Sequence, residues 1–335
     1  LVGSFIVAPP VVDATLTVTQ PVDPQKATAT DDRGESLRVN PGSLQVRQEA
    51  GAIFFELPVA AAQGTRVTTF FDPTTGVSLT GDRMIIPVRD AQGQLVLNVV
   101  AQIGQAVGTG TGLRVPVRSL AIEAPEKRVD LSGQAPEAGE VAVSLRAEIK
   151  SLPEGATLRM GVKPVLADAV VAGFGALAER DVKRIAGIAF GVEITKAGLP
   201  DGQVVGTATV TMKVGRAWAE KQGVENVRVF RLSDGGQSEA LATRFVGFED
   251  GRAVFEGTSP GGLSVFALVA LQPLPARFVF SDLAVTPALV AVGEPVSVVL
   301  RVSNQGGLPG VAPVQLLVQE AEDARQEVQL TPGQA

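Results

Sequence analysis

Strict alternation of apolar and polar positions marks the clearest predicted strand of the chain. Val141, Val143, Leu145, Ala147 and Ile149 fall on one side, while small, polar and charged residues separate them. A period of two is typical of a strand with one buried and one solvated face. The segment therefore predicts a half-buried β-sheet.

The first 20 residues show the same period, with Val12, Ala14, Leu16 and Val18 on one side. One interpretation is a first strand of the chain's own fold. The other is an N-terminal arm, residues 1–20, that pairs with a neighbouring subunit through main-chain hydrogen bonds, which makes these four residues the candidate partner interface. Strand edges are usually managed within one chain, which favours the first interpretation. Residues 21–35 lack periodicity and are predicted to be a linker.

Short predicted strands recur between residues 36 and 132, with Gly, Pro and Asp turns between them. They cover Leu37–Val39, Leu44–Val46, Ile53–Leu57, Arg66–Phe71, Arg83–Val88, Leu95–Gln102, Leu113–Val117 and Leu120–Glu123. Regular strand spacing of this kind predicts a β-sandwich domain. Small residues and prolines in Asp130–Gly139 then predict a domain boundary.

The next predicted domain, residues 140–272, is α+β. Apolar residues recur at helical spacing within 166–183, at Leu166, Val170, Phe174 and Leu177, and indicate one amphipathic helix. A second, short helix is predicted at Arg216–Gln222, around the only tryptophan, Trp218. We expect Trp218 to pack that helix onto its sheet.

A third predicted domain covers residues 277–335. Val296, Val298, Leu300 and Val302 alternate up to a turn at 304–307, and further alternation follows at Val314–Val318 and Val328–Leu330. About 60 residues is short for an Ig-like sandwich of roughly 100, so we expect this domain to be incomplete. The fold class predicted for the whole chain is mainly β, with tandem Ig-like β-sandwich domains and an α+β domain in the middle.

Composition narrows the function classes. The 335 residues include no cysteine and no histidine, and 29 basic against 35 acidic residues give a net charge of −6. No basic stripe is present, so a nucleic-acid partner is not expected. No apolar run reaches the 18 residues of a membrane span. Since Leu1 is not preceded by a methionine or a leader, we expect a processed or partial product.

One segment fits a hydrolase motif. Gly257–Gly261 matches the G-x-S-x-G pattern of a nucleophile elbow, with Ser259 as the nucleophile. Without a histidine the serine has no usual base, and the alternating residues Leu263–Val269 predict a strand where the motif needs a helix. A turn between two strands is the favoured interpretation, and no catalytic residue is assigned.

Two further groups of residues partly resemble ligand-binding motifs. Gly108–Gly112 resembles a phosphate-binding loop but lacks the complete fingerprint, and a hairpin loop is favoured. The loop carboxylates at Asp31-Asp32, Asp234 and Glu249-Asp250 could meet a calcium ion, but their spacing matches no calcium motif, so solvated turns are favoured. We therefore predict no metal and no cofactor.

Residues 207–271 contain, in order, the segments Ala208–Val214, Ala217–Ala219, Val227–Arg231, Leu241–Thr243 and Ser259–Ala267. In these segments the region resembles the PGF-pre-PGF module of archaeal and bacterial surface proteins. The match covers about a fifth of the chain. It implies a secreted, cell-surface location.

Residues 278–335 contain the segments Leu283–Pro287, Val292–Glu294 and Val302–Gly306. In these segments the region resembles the start of a CARDB module, an Ig-like domain associated with cell adhesion in prokaryotes. This resemblance also implies a cell-surface protein of repeated β domains, and neither family implies a catalytic activity.

Together these patterns predict a non-enzymatic extracellular structural protein, a subunit of a cell-surface layer or filament that self-associates or binds other surface proteins. The alternative is an adhesive or carbohydrate-binding module that does not polymerise. A hydrolase that uses carboxylates is a third class, for which the sequence offers no facing pair.

Overall fold

The structure, a computed structural model, describes residues 12–291, 293–318 and 320–335. It is mainly β, as predicted, and its named sheets are antiparallel. Contacts divide the chain into two compact units, Leu1–Ala167 with Ile188–Val269, and Asp168–Gly187 with Ala270–Ala335. These are called the first unit and the second unit below.

The first half of the chain forms β1 (Val12–Thr15), β2 (Gln20–Val22), β3 (Thr28–Asp31), β4 (Ser36–Val39), β5 (Gly42–Glu49), β6 (Ala52–Leu57), β7 (Val59–Ala60), β8 (Arg66–Phe71), β9 (Ser78–Thr80), β10 (Arg83–Arg89), β11 (Leu95–Ile103), β12 (Ala106–Gly108), β13 (Leu113–Asp130), β14 (Glu140–Ile149) and β15 (Thr157–Lys163). All eight strands predicted between residues 36 and 132 fall inside these elements, although the last two, Leu113–Val117 and Leu120–Glu123, belong to one continuous strand, β13. The prediction from alternation and turn signals is confirmed there.

The second half contains helix α1 (Asp168–Arg180), β16 (Lys183–Ala197), β17 (Val205–Gly215), helix α2 (Arg216–Gln222), a short 3₁₀ turn at Val224–Asn226, β18 (Val227–Leu232), β19 (Ser238–Ala240), β20 (Ala242–Glu249), β21 (Arg252–Ser259), β22 (Val265–Pro273), β23 (Phe278–Thr286), β24 (Ser297–Asn304), β25 (Gly310–Val318) and β26 (Ala321–Leu330). Both helices were predicted. Helix α1 is shorter than the predicted 166–183, beginning at Asp168 and ending at Arg180.

The first unit contains two sheets. A six-stranded sheet runs β1-β15-β16-β22-β18-β19, and a larger sheet runs from β20 through β21, β17, β14 and β13 to the N-terminal strands. Strand β1 lies against β10 and β11, and β18 lies against β20 and β21. The side chains between them are aliphatic and phenylalanine, including Phe55, Phe190 and Phe266, none of which is exposed.

The structure places two features differently from the sequence predictions. Residues 21–35, predicted to be a linker, contain β3, which pairs with β4 and β8. Residues 131–139, predicted to separate two domains, connect β13 to β14, which pair from Leu120↔Ile149 to Asp130↔Glu140. Small residues and prolines occur in hairpin connections as well as in linkers, so composition alone did not distinguish the two.

The second unit contains α1 and the two strand pairs β23-β24 and β25-β26. Its core is small, with Val302, Ala312 and Leu330 at the centre. Buried Asn304 fixes the turn that follows β24. Its amide donates to the carbonyls of Leu308 (2.9 Å) and Leu330 (3.2 Å) and accepts from the N–H groups of Gly306 and Arg277.

Candidate functional site

The predicted interface residues Val12, Ala14, Leu16 and Val18 lie in the core of the first unit. Their exposed fractions are 1%, 2%, 0% and 1%. Strand β1 pairs with β15, placing Val12 opposite Met160 and Ala14 opposite Leu158, and the N–H of Leu16 donates to the carbonyl of Ala156 at 2.7 Å. In this structure the four side chains belong to the chain's own fold, as the first-strand interpretation holds, and form no free surface.

The second unit presents an apolar surface instead. Directly paired residues of antiparallel strands share one face, which places Phe280 opposite Val302 and Val285 opposite Val298. Val302 and Leu300 belong to the small core on that face. Phe280, Val285 and Val298 continue the same face but are 50%, 49% and 39% exposed. We call Phe280, Val285 and Val298 the apolar strip.

The strand edges beside the apolar strip differ from each other. Within the described residues, β23 and β24 form a two-stranded sheet, so each has one edge without a further strand. The β24 edge is closed only at its end, where the N–H of Asn304 donates to the carbonyl of Gln334 at 2.9 Å and the carbonyl of Asn304 accepts the N–H of Gly333 at 2.9 Å. Strand β23 carries a bulge between Ser281 and Ala284, with Asp282 at a φ of 56°. Bulges and charges protect an edge against further pairing. The edge of β24 has no bulge, and it is without a partner among the described residues from Ser297 to Ser303.

Ser259 of the hydrolase-like motif is fully buried and ends strand β21. Its hydroxyl donates to the carbonyl of Gly262 at 2.9 Å, which closes the turn that leads into β22. The predicted strand after the motif is confirmed, since β22 begins at Val265. The serine is a structural part of a strand–turn–strand unit.

A group of buried charges holds this turn, and the sequence analysis did not identify it. The Nζ of Lys196 lies 3.1 Å from Oδ2 of Asp201 and donates to the carbonyl of Leu263 at 2.5 Å. The guanidinium of Arg231 contacts Oδ2 of Asp201 at 3.4 Å and donates to the carbonyl of Gly261 at 2.5 Å. The Lys196 and Arg231 side chains are 6% and 5% exposed. The one available signal was an arginine inside the apolar run Val227–Leu232.

Two acidic residues at the periphery balance the buried cations. Oδ2 of Asp234 lies 2.8 Å from Lys196 Nζ, and Oε1 of Glu239 lies 2.7 Å from Arg231 Nη1. Burial raises the pKa of Asp234, but hydrogen bonds from Lys196 and Ser264 outweigh it and hold the pKa below its ordinary value. The five side chains, two cations and three carboxylates, therefore form a network in which each buried cation is paired with two carboxylates, as buried ions require.

The other predicted ligand residues are also accounted for by protein contacts. Gly108–Gly112 connects β12 to β13 as a hairpin loop, with the N–H of Thr109 donating to the carbonyl of Gly112 at 2.9 Å. Buried Asp31 accepts the N–H groups of Arg33 and Glu35. Asp32 is exposed.

The remaining candidate calcium ligands, Glu249 and Asp250, pair with cationic side chains. Glu249 pairs with Lys213 at 2.7 Å, and Asp250 pairs with Arg128 at 3.2 Å. No cluster of three or more potential metal ligands occurs among the residues that the structure describes.

Trp218 is buried in α2, which lies against β17 and β21.

No family model, no curated protein and no solved structure matches this chain. The resemblances to PGF-pre-PGF and CARDB modules, and the Ig-like topology, therefore stay predictions. Neither described helix is long and apolar enough to cross a membrane.

Proposed function

We propose that this chain is a non-enzymatic extracellular structural protein, a subunit of a cell-surface layer or filament assembled through β-strand and domain contacts. The observation that carries the proposal is the apolar strip, Phe280, Val285 and Val298, beside the free edges of β23 and β24. Contiguous exposed apolar surface and unpaired strand edges are the features by which β proteins associate.

The strip differs from scattered exposed side chains in one respect. Its residues continue the face that forms the core of the second unit with Leu300 and Val302. A surface continuous with a core has the side-chain spacing of a packed interface, so a second β element can extend that core. The extracellular location rests on the two module resemblances and belongs to the same proposal.

The proposal assigns no catalytic role to any residue. The Ser259 hydroxyl is buried and bonded to Gly262, and the chain contains no histidine or cysteine to serve as its base or as another nucleophile. Lys196 and Arg231 are occupied by carboxylates and carbonyls.

Electron microscopy of the purified chain over a range of concentrations tests the proposal. We expect regular filaments or sheets to form as the concentration rises, and immunogold labelling to place them outside intact source cells. Particles that stay monomeric at every concentration, or labelling confined to the cell interior, would contradict it.

A groove on the first unit favours the alternative, an adhesive or carbohydrate-binding module. The groove, of ≈ 580 Å³, is lined by hydrogen-bonding side chains that include Asp13, Thr15, Arg89 and Gln92. Such side chains bind the hydroxyl groups of sugars. A glycan array separates the two functions, because the alternative requires a monomer that retains a specific glycan, a result that Thr15→Ala should abolish.

A further inference from the structure

We propose that the tip of the β25-β26 hairpin in one copy, residues 320–323, binds a basic pocket on the first unit of a second copy. The inference rests on the proposed function, because it names an ionic contact between the copies that assemble. We assign most of the affinity to the apolar strip and the orientation of the copies to the ionic contact, since charges across an interface contribute more to specificity than to affinity.

The basic pocket is a cavity of ≈ 380 Å³ beside strands β13 and β14. The charged side chains that line it are three cations and one carboxylate, namely Arg118, Arg146, Lys150 and Glu148. Arg146 shares the carboxylate of Glu123 with Arg83, so this pairing leaves the excess of positive charge in place. The pocket is therefore positive on a chain whose net charge is −6.

Arg118 and Lys150 are the pocket cations that remain available to a ligand. Both are exposed, and neither pairs with a carboxylate among the described residues. The Nζ of Lys150 donates to the carbonyl of Gly202 at 2.5 Å, so this ammonium group keeps further donor hydrogens. Arg118 is left unpaired by a bulge in β13, where the register shifts opposite Gln102 and Ile103. Bulges re-aim a side chain and recur next to active sites.

The hairpin tip carries three exposed carboxylates, those of Glu320, Glu322 and Asp323. The one ion pair of β26 among the described residues joins Arg325 to Glu327, and none of the three carboxylates pairs with a cation there. Asp323 is the unpaired residue of a bulge in β26. Three like charges are therefore held together without a counter-charge.

Charge complementarity makes a second copy the occupant of the pocket. Three carboxylates within four residues repel one another, and a positive pocket relieves that repulsion. Apolar surface accompanies the charges on both sides. Leu317 and Val318, next to the tip, are 57% and 53% exposed, while Ile53 and Val117 form part of the pocket wall.

The contact joins different surfaces of the two copies. The tip belongs to the second unit and the pocket to the first unit. Repetition of such a head-to-tail contact generates open chains when its rotation does not close a ring. This is the geometry that a filament or layer requires.

Charge reversal with complementary rescue tests the contact. The tip variant is Glu322→Lys/Asp323→Lys, and the pocket variant is Arg118→Glu/Lys150→Glu. Each variant alone should need about tenfold more protein than the parent chain for half-maximal association in sedimentation velocity, because like charges then face each other. A one-to-one mixture of the two variants should regain the association of the parent chain, since the mixture offers both the original and the exchanged pairing.

Arg33→Glu/Arg38→Glu is the matched control for the pocket variant. It makes the same change in net charge at two exposed arginines that do not line the pocket. Association of this control should stay within about twofold of the parent chain, and added salt should reduce the effect of the pocket variant, because exposed charges are screened.

A zero-length carbodiimide cross-link between Lys150 and Glu322 or Asp323 identifies the contact directly. Mass spectrometry on a mixture of isotope-labelled and unlabelled chains should find this link between copies. Links confined to single copies would overturn the contact, as would a mixture that associates no better than either variant alone.

The remaining outcomes separate this contact from the proposed function. Association of the pocket variant equal to that of the parent chain would overturn the contact while leaving assembly through the apolar strip. If the parent chain is then retained on immobilised polygalacturonate and the pocket variant is not, the pocket belongs to an acidic glycan instead. A parent chain that never associates would remove the proposed function and this contact with it.

Discussion

The carboxylate of Asp201 occupies the space beside Gly262 in which a side chain would begin. Its Oδ1 accepts the N–H of Leu263 at 3.0 Å, and Gly262 itself has a φ of +90°. The turn between β21 and β22 thus follows from a glycine that allows close approach and an aspartate that uses it. Lys196 and Arg231 hold that aspartate from the other side.

Gly262→Ala should destabilise the first unit by about 3 kcal/mol or more, because the methyl group meets Asp201 and the backbone is strained. Gly236→Ala is the matched control. Gly236 has a φ of +77°, and an added β-carbon there would have nothing within 4 Å, so Gly236→Ala should lower the free energy of unfolding by only about 1–2 kcal/mol. Urea unfolding followed by the fluorescence of Trp218, which lies in the first unit, measures both. Equal losses would show that Asp201 does not restrict the turn.

Arg231→Met should lower the free energy of unfolding by about 2–4 kcal/mol, because Glu239 loses its buried partner and Asp201 keeps Lys196 as its one cationic partner among the described residues. Arg244→Met is the control, since Arg244 pairs with Glu256 at the surface with its side chain 70% exposed. Arg244→Met should lower the free energy of unfolding by less than about 1 kcal/mol. The same unfolding assay compares them. A loss for Arg231→Met as small as that of the control would contradict a structural role for the buried network.

We expect Glu126 and Lys213 to make a pH-dependent contribution to the free energy of unfolding. Lys213 Nζ lies 2.6 Å from Glu126 Oε2, and the hydrogen bond from Lys213 holds the pKa of Glu126 below its ordinary value. Hydrogen bonds to Glu126 and Glu249 raise the pKa of Lys213. The contribution of Glu126 is complete above its unfolded pKa and is lost as the pH falls through its folded pKa. That of Lys213 is complete below its unfolded pKa and is lost as the pH rises through its folded pKa.

Glu126→Gln should therefore lose roughly 0.5–1 kcal/mol at neutral pH, and the difference from the parent chain should shrink as the solution is acidified. Urea unfolding at a series of pH values measures this difference. Glu35→Gln, at an exposed position without a salt bridge among the described residues, should show no comparable trend. A difference for Glu126→Gln that stays constant down to acidic pH would contradict the assigned pKa shift.

Leu16→Ala should destabilise the first unit by about 2–5 kcal/mol, because Leu16 is fully buried in the chain's own core. Thr17→Ala, one residue further on the exposed side, is the matched control and should change stability little. If Leu16→Ala changes association without changing unfolding, the segment acts between copies after all.

Local periodicity predicted most strands between residues 36 and 132, and also β14 and β22, because the buried side of each of these strands is nearly pure Val, Ile, Leu, Ala or Phe. Strands β15 and β16 were not predicted. Helix α2 was predicted with its observed bounds, and the strand after Ser259 was predicted from Leu263–Val269. Strand β3 was missed because Thr28–Asp31 is mostly polar and its pairing with β8 comes from residues far along the chain.

The candidate sites depend on relationships that one sequence does not display. Asp201, Arg231 and Lys196 are brought together by strands remote in sequence, so their pairing could not be predicted from spacing. The apolar strip could not be predicted for a different reason. Phe280, Val285 and Val298 look like ordinary core positions in the sequence, and only the structure leaves them exposed.

Sedimentation velocity on variants of β23 and β24 tests the central claim, assembly through the apolar strip, most directly. The double variant Val285→Lys/Val298→Lys places charge on the strip, while Val299→Lys places it on the opposite face of the same strand. We predict that the parent chain and Val299→Lys associate alike as concentration rises and that the double variant stays monomeric. Association of the double variant equal to that of the parent, or a parent chain that is monomeric throughout, would contradict the claim.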